Sequence, residues 1–97
     1  MLITTTPTIE GKQINQYLKA VNGEAVRVLP SPAEVGNRPY EPYVKEALNN
    51  AWEYAIDEMS KKAATIDADA VVGVQIDYEV VREGMLMVAA SGTAVKV

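Results

Sequence analysis

Apolar positions in the second half of the chain follow two different periods. Between Glu41 and Ile66 they recur every three or four residues. Val44, Leu48, Trp52, Ala55, Met59, Ala63 and Ile66 form one stripe, the pattern of a helix with a single buried face. Pro42 suits the first turn, where its missing N–H has no intrahelical partner. Glu41/Lys45, Asp57/Lys61 and Glu58/Lys62 are acid-first pairs four residues apart, the favourable order on an exposed face. Lys61 and Lys62 also stand near the negative end of the helix dipole. The spacing predicts a helix from about Glu41 to Ile66, with Trp52 in its core stripe. From Ala70 onward the period is two, and Ala70–Arg82 and Met85–Val97 read as strands joined at Glu83-Gly84. A two-residue turn there sets Arg82 opposite Met85 and Val80 opposite Met87. In that register Val72, Val74, Ile76, Tyr78 and Val80 share a face with Met87, Ala89, Ser91, Thr93 and Val95, and this face is expected to carry the helix. A helix of about 25 residues spans about 37 Å, and a strand of about 13 residues about 43 Å, so the two match.

The first half is read from its punctuation. Met1–Thr6 is a β-branched run stopped by Pro7, a short first strand. Asn22-Gly23 lies between apolar runs and signals a hairpin turn, which predicts strands over 13–21 and 24–29. Residues 30–42 hold four of the five prolines and read as a surface loop. The fold class expected is α+β: two layers, a mostly antiparallel sheet with one long helix packed on one face. The other sheet face holds Val71, Gly73, Gln75, Asp77, Glu79 and Val81 beside Leu86, Val88, Ala90, Gly92 and Ala94. One helix leaves Val71, Val81, Leu86 and Val88 uncovered in that arrangement, and an exposed apolar strip of this kind predicts a homo-oligomer.

Composition narrows the chemistry. Ninety-seven residues make one domain over 1–97, with the Pro-rich surface loop at 30–40. The formal charge of -4 argues against a nucleic-acid groove. Neither cysteine nor histidine is present, which excludes disulfides, thiol nucleophiles, imidazole-based triads and zinc-finger ligand sets. No basic, apolar leader opens the chain and the longest apolar stretch, Met85–Ala90, is too short to span a bilayer. A cytoplasmic protein without nucleic-acid or membrane partners is expected. Ser91 has no imidazole partner, and Glu10-Gly11-Lys12 is followed by Gln13 rather than the Ser or Thr of a phosphate loop. No enzymatic activity is expected.

Oxygen ligands are the remaining route to an ion. Asp77 and Glu79 project from one strand face beside small Ala90 and Gly92, leaving room for a divalent metal ion or a neighbouring copy. Rings of such carboxylates about a symmetry axis would complete a site that one copy cannot. Met85 and Met87 are the one close thioether pair, with core packing as the simpler role. Asp67 and Asp69 flank the helix-to-strand turn, where aspartate serves backbone capping. Tyr40 and Tyr43 at the helix entry either anchor the loop or contact a neighbour.

Three strings carry a resemblance: ITTTPTIEGK at 3–12, ADAVVGVQIDYEVV at 68–81 and GMLMVAASGTAVKV at 84–97. They are similar to the YbjQ-like family, small bacterial proteins described as heavy-metal-binding domains. The resemblance covers roughly the first 26 residues and everything from the helix onward. It implies a dodecin-like α/β subunit, a ring-like pentamer and a metal role, and brings no catalytic or ligand residues to named positions. The chain departs from the family between Arg27 and Tyr40, where the family has a longer connector with aromatic, arginine and glycine residues. Together these expectations describe an oligomer that binds a metal ion at intersubunit carboxylates Asp77 and Glu79. The alternatives are a structural module presenting the Pro-rich loop to a partner, or a small-molecule carrier using a pocket between subunits.

Overall fold

The computed structural model describes residues 1–97. Its elements are β1 (Leu2–Ile3), β2 (Gln16–Val28), α1 (Pro32–Val35), α2 (Glu41–Thr65), β3 (Ala70–Arg82) and β4 (Met85–Lys96). The strands form one sheet in the order β1-β3-β4-β2, with β1 parallel to β3 and the other pairs antiparallel. α2 lies along one face, chiefly over β2 and β4. The architecture is the expected two-layer α+β arrangement.

Asn22-Gly23 is not a turn. β2 runs through it without a break, with Asn22 opposite Ser91 and Gly23 opposite Ala90. The glycine is needed for another reason: α2 passes directly above it. A Cβ at Gly23 would collide with the carbonyl oxygen of Ala55 and lie 2.7 Å from the backbone nitrogen of Met59. Close approach of two backbones selects glycine in a strand as firmly as a turn does. The strand also starts at Gln16 rather than 13, and the first strand is only Leu2–Ile3. Between them Gly11, at φ +79, forms a tight turn bridged by Ile9 and Lys12.

The β3–β4 register differs by one residue from a simple two-residue hairpin. Arg82 faces Met85, but Val80 faces Leu86 and Tyr78 faces Val88, because Val81 is an extra residue beside the turn. A one-residue slip exchanges the faces of a strand. Leu86, Val88, Ala90 and Ala94 therefore lie under α2, with Val21 and Ala25 of β2 and Val71 and Val74 of β3. Met87, Ala89, Ser91 and Thr93 fall on the opposite face. Of the four residues expected to be uncovered, Val71, Leu86 and Val88 are buried and only Val81 is exposed. The apolar strip from which self-association was inferred does not exist in that form.

A second irregularity sits between Val72 and Gln75, where Gly73 takes φ +62. Its N–H donates to Thr6 O at 2.8 Å, and Val74 N–H donates to Thr4 O at 3.1 Å, so the N-terminal segment is bound to the bulge. At this end Ile9 and Ile14 cover Ala70, Val72 and Val95 on the face away from α2.

The buried line of α2 is Ala51, Ala55, Met59 and Ala63. Small residues at this spacing let the helix settle onto Gly23. Trp52 falls one step round the helix and is 43% exposed, so it is a flank residue rather than a core one. The three expected ion pairs form: Glu41–Lys45 at 3.0 Å, Asp57–Lys61 at 2.9 Å and Glu58–Lys62 at 3.6 Å. The hydrogen bond and charge of the Asp57 carboxylate raise the Lys61 ammonium above its usual value. Residues 30–40 are not a plain loop either, since they contain α1 and bury Val35. No helix is long and apolar enough to cross a membrane.

Candidate functional site

β2, β4 and β3 present a face that α2 does not cover, and paired residues fall in rows across it. One row is Glu24–Ala89–Asp77, the next Val26–Met87–Glu79, and a third Asn22–Ser91–Gln75. Asp77 and Glu79 thus lie side by side on this face, both exposed. Same-face neighbours on a strand are about 7 Å apart, close enough for both carboxylates to reach one cation between them. The residues beside them are Ala89 and Met87, not the Ala90 and Gly92 expected, because of the register slip. Met87 places a thioether beside Glu79, while Met85 diverges to the bulge opposite Arg82. Both methionines are half-buried.

Glu24 belongs to this face and was hidden by the supposed turn. Its signal in the sequence is the unbroken alternation of Val21, Gly23 and Ala25 with Asn22, Glu24 and Val26. Asn22 Nδ2 donates to Glu24 Oε1 at 3.2 Å. Glu24 and Asp77 stand two strands apart, about 10 Å. Within one chain, no three His, Cys, Asp or Glu side chains converge to hold a metal ion.

The other acidic pair has backbone roles. Asp67 takes φ +63 at the end of α2, and Lys96 Nζ donates to its carbonyl at 2.8 Å and to its Oδ2 at 3.4 Å. Asp69 Oδ2 accepts the Val97 N–H at 3.0 Å. The Asp67 carboxylate is engaged by the Lys96 ion pair and that of Asp69 by the Val97 backbone, and neither caps the helix.

Residues 30–40 form a tied knob. Ser31 Oγ accepts the Glu34 N–H at 3.3 Å, the N-cap bond of α1, and lies 3.2 Å from Glu34 Oε1. Tyr40 O–H donates to Pro30 O at 2.7 Å and closes the segment. Arg38 donates to Val35 O at 2.9 Å and to Glu34 O at 2.8 Å, with its guanidinium over the Tyr43 ring. Tyr40 thus anchors the segment, and Tyr43 packs beneath Arg38. Beside the knob an apolar groove of about 270 Å³ runs between Val44 and Leu48 of α2 and Tyr78, Val80 and Leu86 of the β3–β4 hairpin.

Comparison with known proteins gives a consistent assignment. The YbjQ family model, described as "Putative heavy-metal-binding", matches residues 1–97. A UPF0145 protein of Bacillus cereus (strain ATCC 10987) is 49% identical over 107 residues, covering 100% of both chains. A UPF0145 protein of Bacillus thuringiensis subsp. konkukian (strain 97-27) is likewise 49% identical over 107 residues with full coverage of both. Among solved structures, a DUF74-family protein of unknown function from Pediococcus pentosaceus shares the fold. Its TM-score is 0.61 at 24% identity, covering 100% of this chain and 97% of that one. Matched from its first residue to its last, the chain belongs to the YbjQ family, known as UPF0145 in its Bacillus relatives.

Proposed function

We propose that the protein is a homo-oligomeric binding protein for a divalent metal ion, with Asp77 and Glu79 as its carboxylate ligands. The observation that carries this reading is the position of the two acids, adjacent on the sheet face that α2 leaves open. Two neighbouring carboxylates repel each other, and a divalent cation between them relieves that repulsion and takes oxygen ligands. Two side chains are too few for a closed coordination shell, so the remaining donors come from water and from a second copy. The family description supports a metal as the ligand.

The test is equilibrium titration of the purified protein with Mn²⁺, Zn²⁺ and Cd²⁺, alongside the double variant Asp77→Asn/Glu79→Gln. Saturable uptake by the wild type, weakened at least tenfold in the variant at unchanged oligomer mass, is expected. Equal uptake by both proteins would remove these residues from the site. A second reading, an interaction module that displays residues 30–40, is favoured by the hydrogen bonds that tie the knob into one shape. It predicts an assembly with no ion affinity.

A further inference from the structure

An open cleft of about 650 Å³ lies between the tied knob and the β3–β4 turn. Leu29, Pro30, Pro32 and Tyr40 line it, with Glu34 from the knob and Glu83 from the turn. Two hydrogen bonds fix its shape. Leu29 N–H donates to Gly84 O at 2.7 Å and ties the chain entering the knob to the turn. The Tyr40 O–H bond to Pro30 O closes the knob itself.

The lining offers acceptors and withholds donors. Pro30 and Pro32 have no N–H. The Ser31 O–H is engaged by Glu34 Oε1 at 3.2 Å, and the Tyr40 O–H by Pro30 O at 2.7 Å. The Glu34 N–H is taken by Ser31 and the Leu29 N–H by Gly84. Carboxylate oxygens remain, and neither Glu34 nor Glu83 belongs to one of the chain's four ion pairs. No lysine or arginine lines the cleft. Arg38, the one cation of residues 30–40, is held by the Val35 and Glu34 carbonyls and lies over Tyr43. A negative lining of acceptors fits a ligand that is positive and carries donors only, which describes the lysine ammonium and the arginine guanidinium. Of the two, the planar guanidinium grips a carboxylate with two parallel bonds and lies flat on an aromatic ring, so it suits walls made by carboxylates, Tyr40 and proline rings. The chain makes such stacked contacts internally, Arg27 on Tyr54 at 5.3 Å and Arg38 on Tyr43 at 5.7 Å.

We propose that this cleft docks an arginine side chain carried on an exposed segment of another protein, with Glu34 and Glu83 as its counter-charges. The aliphatic stem of the arginine lies on the apolar part of the lining, and the charged head meets the acids. A segment fits better than a free small molecule, because the cleft is open and its volume takes a side chain together with the backbone beside it. The net charge of -4 draws a basic segment toward the protein. The proposal gives the interaction-module reading a partner of stated chemistry and rests on that reading's tied knob. It shares no residue with the Asp77/Glu79 site and requires no ion.

The probe is a fluorescein-labelled, amidated Gly-Arg-Gly-Arg-Gly peptide, titrated with the full chain at physiological salt in the presence of EDTA and followed by anisotropy. Saturable binding is expected, weakened at least tenfold when citrulline, which keeps the shape and loses the charge, replaces arginine. Glu34→Gln/Glu83→Gln is expected to weaken the arginine peptide at least tenfold. Glu83→Lys lies in the exposed turn and leaves the hydrogen bonds of the knob in place, so a comparable loss there separates lost charge from a loosened knob. Glu46→Gln/Glu53→Gln removes the same charge from exposed positions of α2 outside the cleft and is expected to stay within about twofold of wild type. Equal binding by wild type and Glu83→Lys, an equal loss in the Glu46/Glu53 variant, or equal binding of the citrulline peptide would overturn the proposal. Absence of saturable binding by the wild type would overturn the partner chemistry alone, since the module reading is tested separately by the metal titration.

Discussion

Gly23→Ala probes the contact that sets the whole arrangement. The added methyl collides with Ala55 O and comes within 2.7 Å of Met59 N, both backbone atoms of α2. Neither can swing aside as a side-chain tip would, so the helix must lift from β2. Lifting loosens the buried line Ala51, Ala55, Met59 and Ala63. Overpacking of this sort costs about 1–3 kcal/mol where side chains can adjust, and rigid backbone on the far side places this site at or above the upper end. Alanine lowers the entropy of the unfolded chain, which returns about 0.4–1 kcal/mol. The expected net loss is about 2–3 kcal/mol, or a fall in Tm of roughly 8–24 °C for a domain of this size. Urea unfolding followed by far-UV circular dichroism reads it as a lower midpoint at unchanged slope. Gly92→Ala is the internal control. Its two nearest contacts are side-chain methyls, Val71 Cγ1 at 2.6 Å and Val74 Cγ2 at 3.1 Å, with the Val72 carbonyl oxygen at 3.2 Å the one backbone atom close by, and a smaller loss of about 1–2 kcal/mol is expected. Asn22→Val separates strand from turn: it is expected within about 0.5 kcal/mol of wild type in an exposed strand position, but would be strained at positive φ. A Gly23→Ala protein as stable as wild type would refute the seating of α2 on β2.

Met59 is fully buried at the middle of the helix–sheet contact, and Met59→Ala is expected to cost about 2–5 kcal/mol in the same assay. Gly73 has open space around a hypothetical Cβ but φ +62, so Gly73→Ala is expected to lose about 1 kcal/mol from backbone strain alone.

Long-period information in the sequence was legible. The stripe of α2, its three ion pairs and the strands from Ala70 to Lys96 all follow from spacing that repeats over many residues. Short signals failed where tertiary contact supplied a different cause. Asn22-Gly23 has the local chemistry of a turn, yet Gly23 is chosen by the helix above it, a contact made with residues 32 and more positions away. The face of Trp52 was misjudged by one step because Ala51, a small residue, marks the closest approach of helix to sheet better than a large one does. The register slip at Val81 leaves no local mark, since Val80-Val81 fits a strand either way. It nonetheless moved Val88 and Leu86 beneath the helix and changed the neighbours of Asp77 and Glu79. The adjacency of those two acids survived because it depends only on the two-residue period of β3. The third acid on their face, Glu24, required the long-range pairing of β2 with β4.

Native mass spectrometry of the wild-type protein, with and without Cd²⁺ or Zn²⁺, tests the central claim most directly. A closed multi-copy species that takes up a whole number of ions, and loses that uptake but not its mass in Asp77→Asn/Glu79→Gln, is the predicted result. A single chain, or an assembly whose metal uptake is absent or indifferent to the two substitutions, would contradict it.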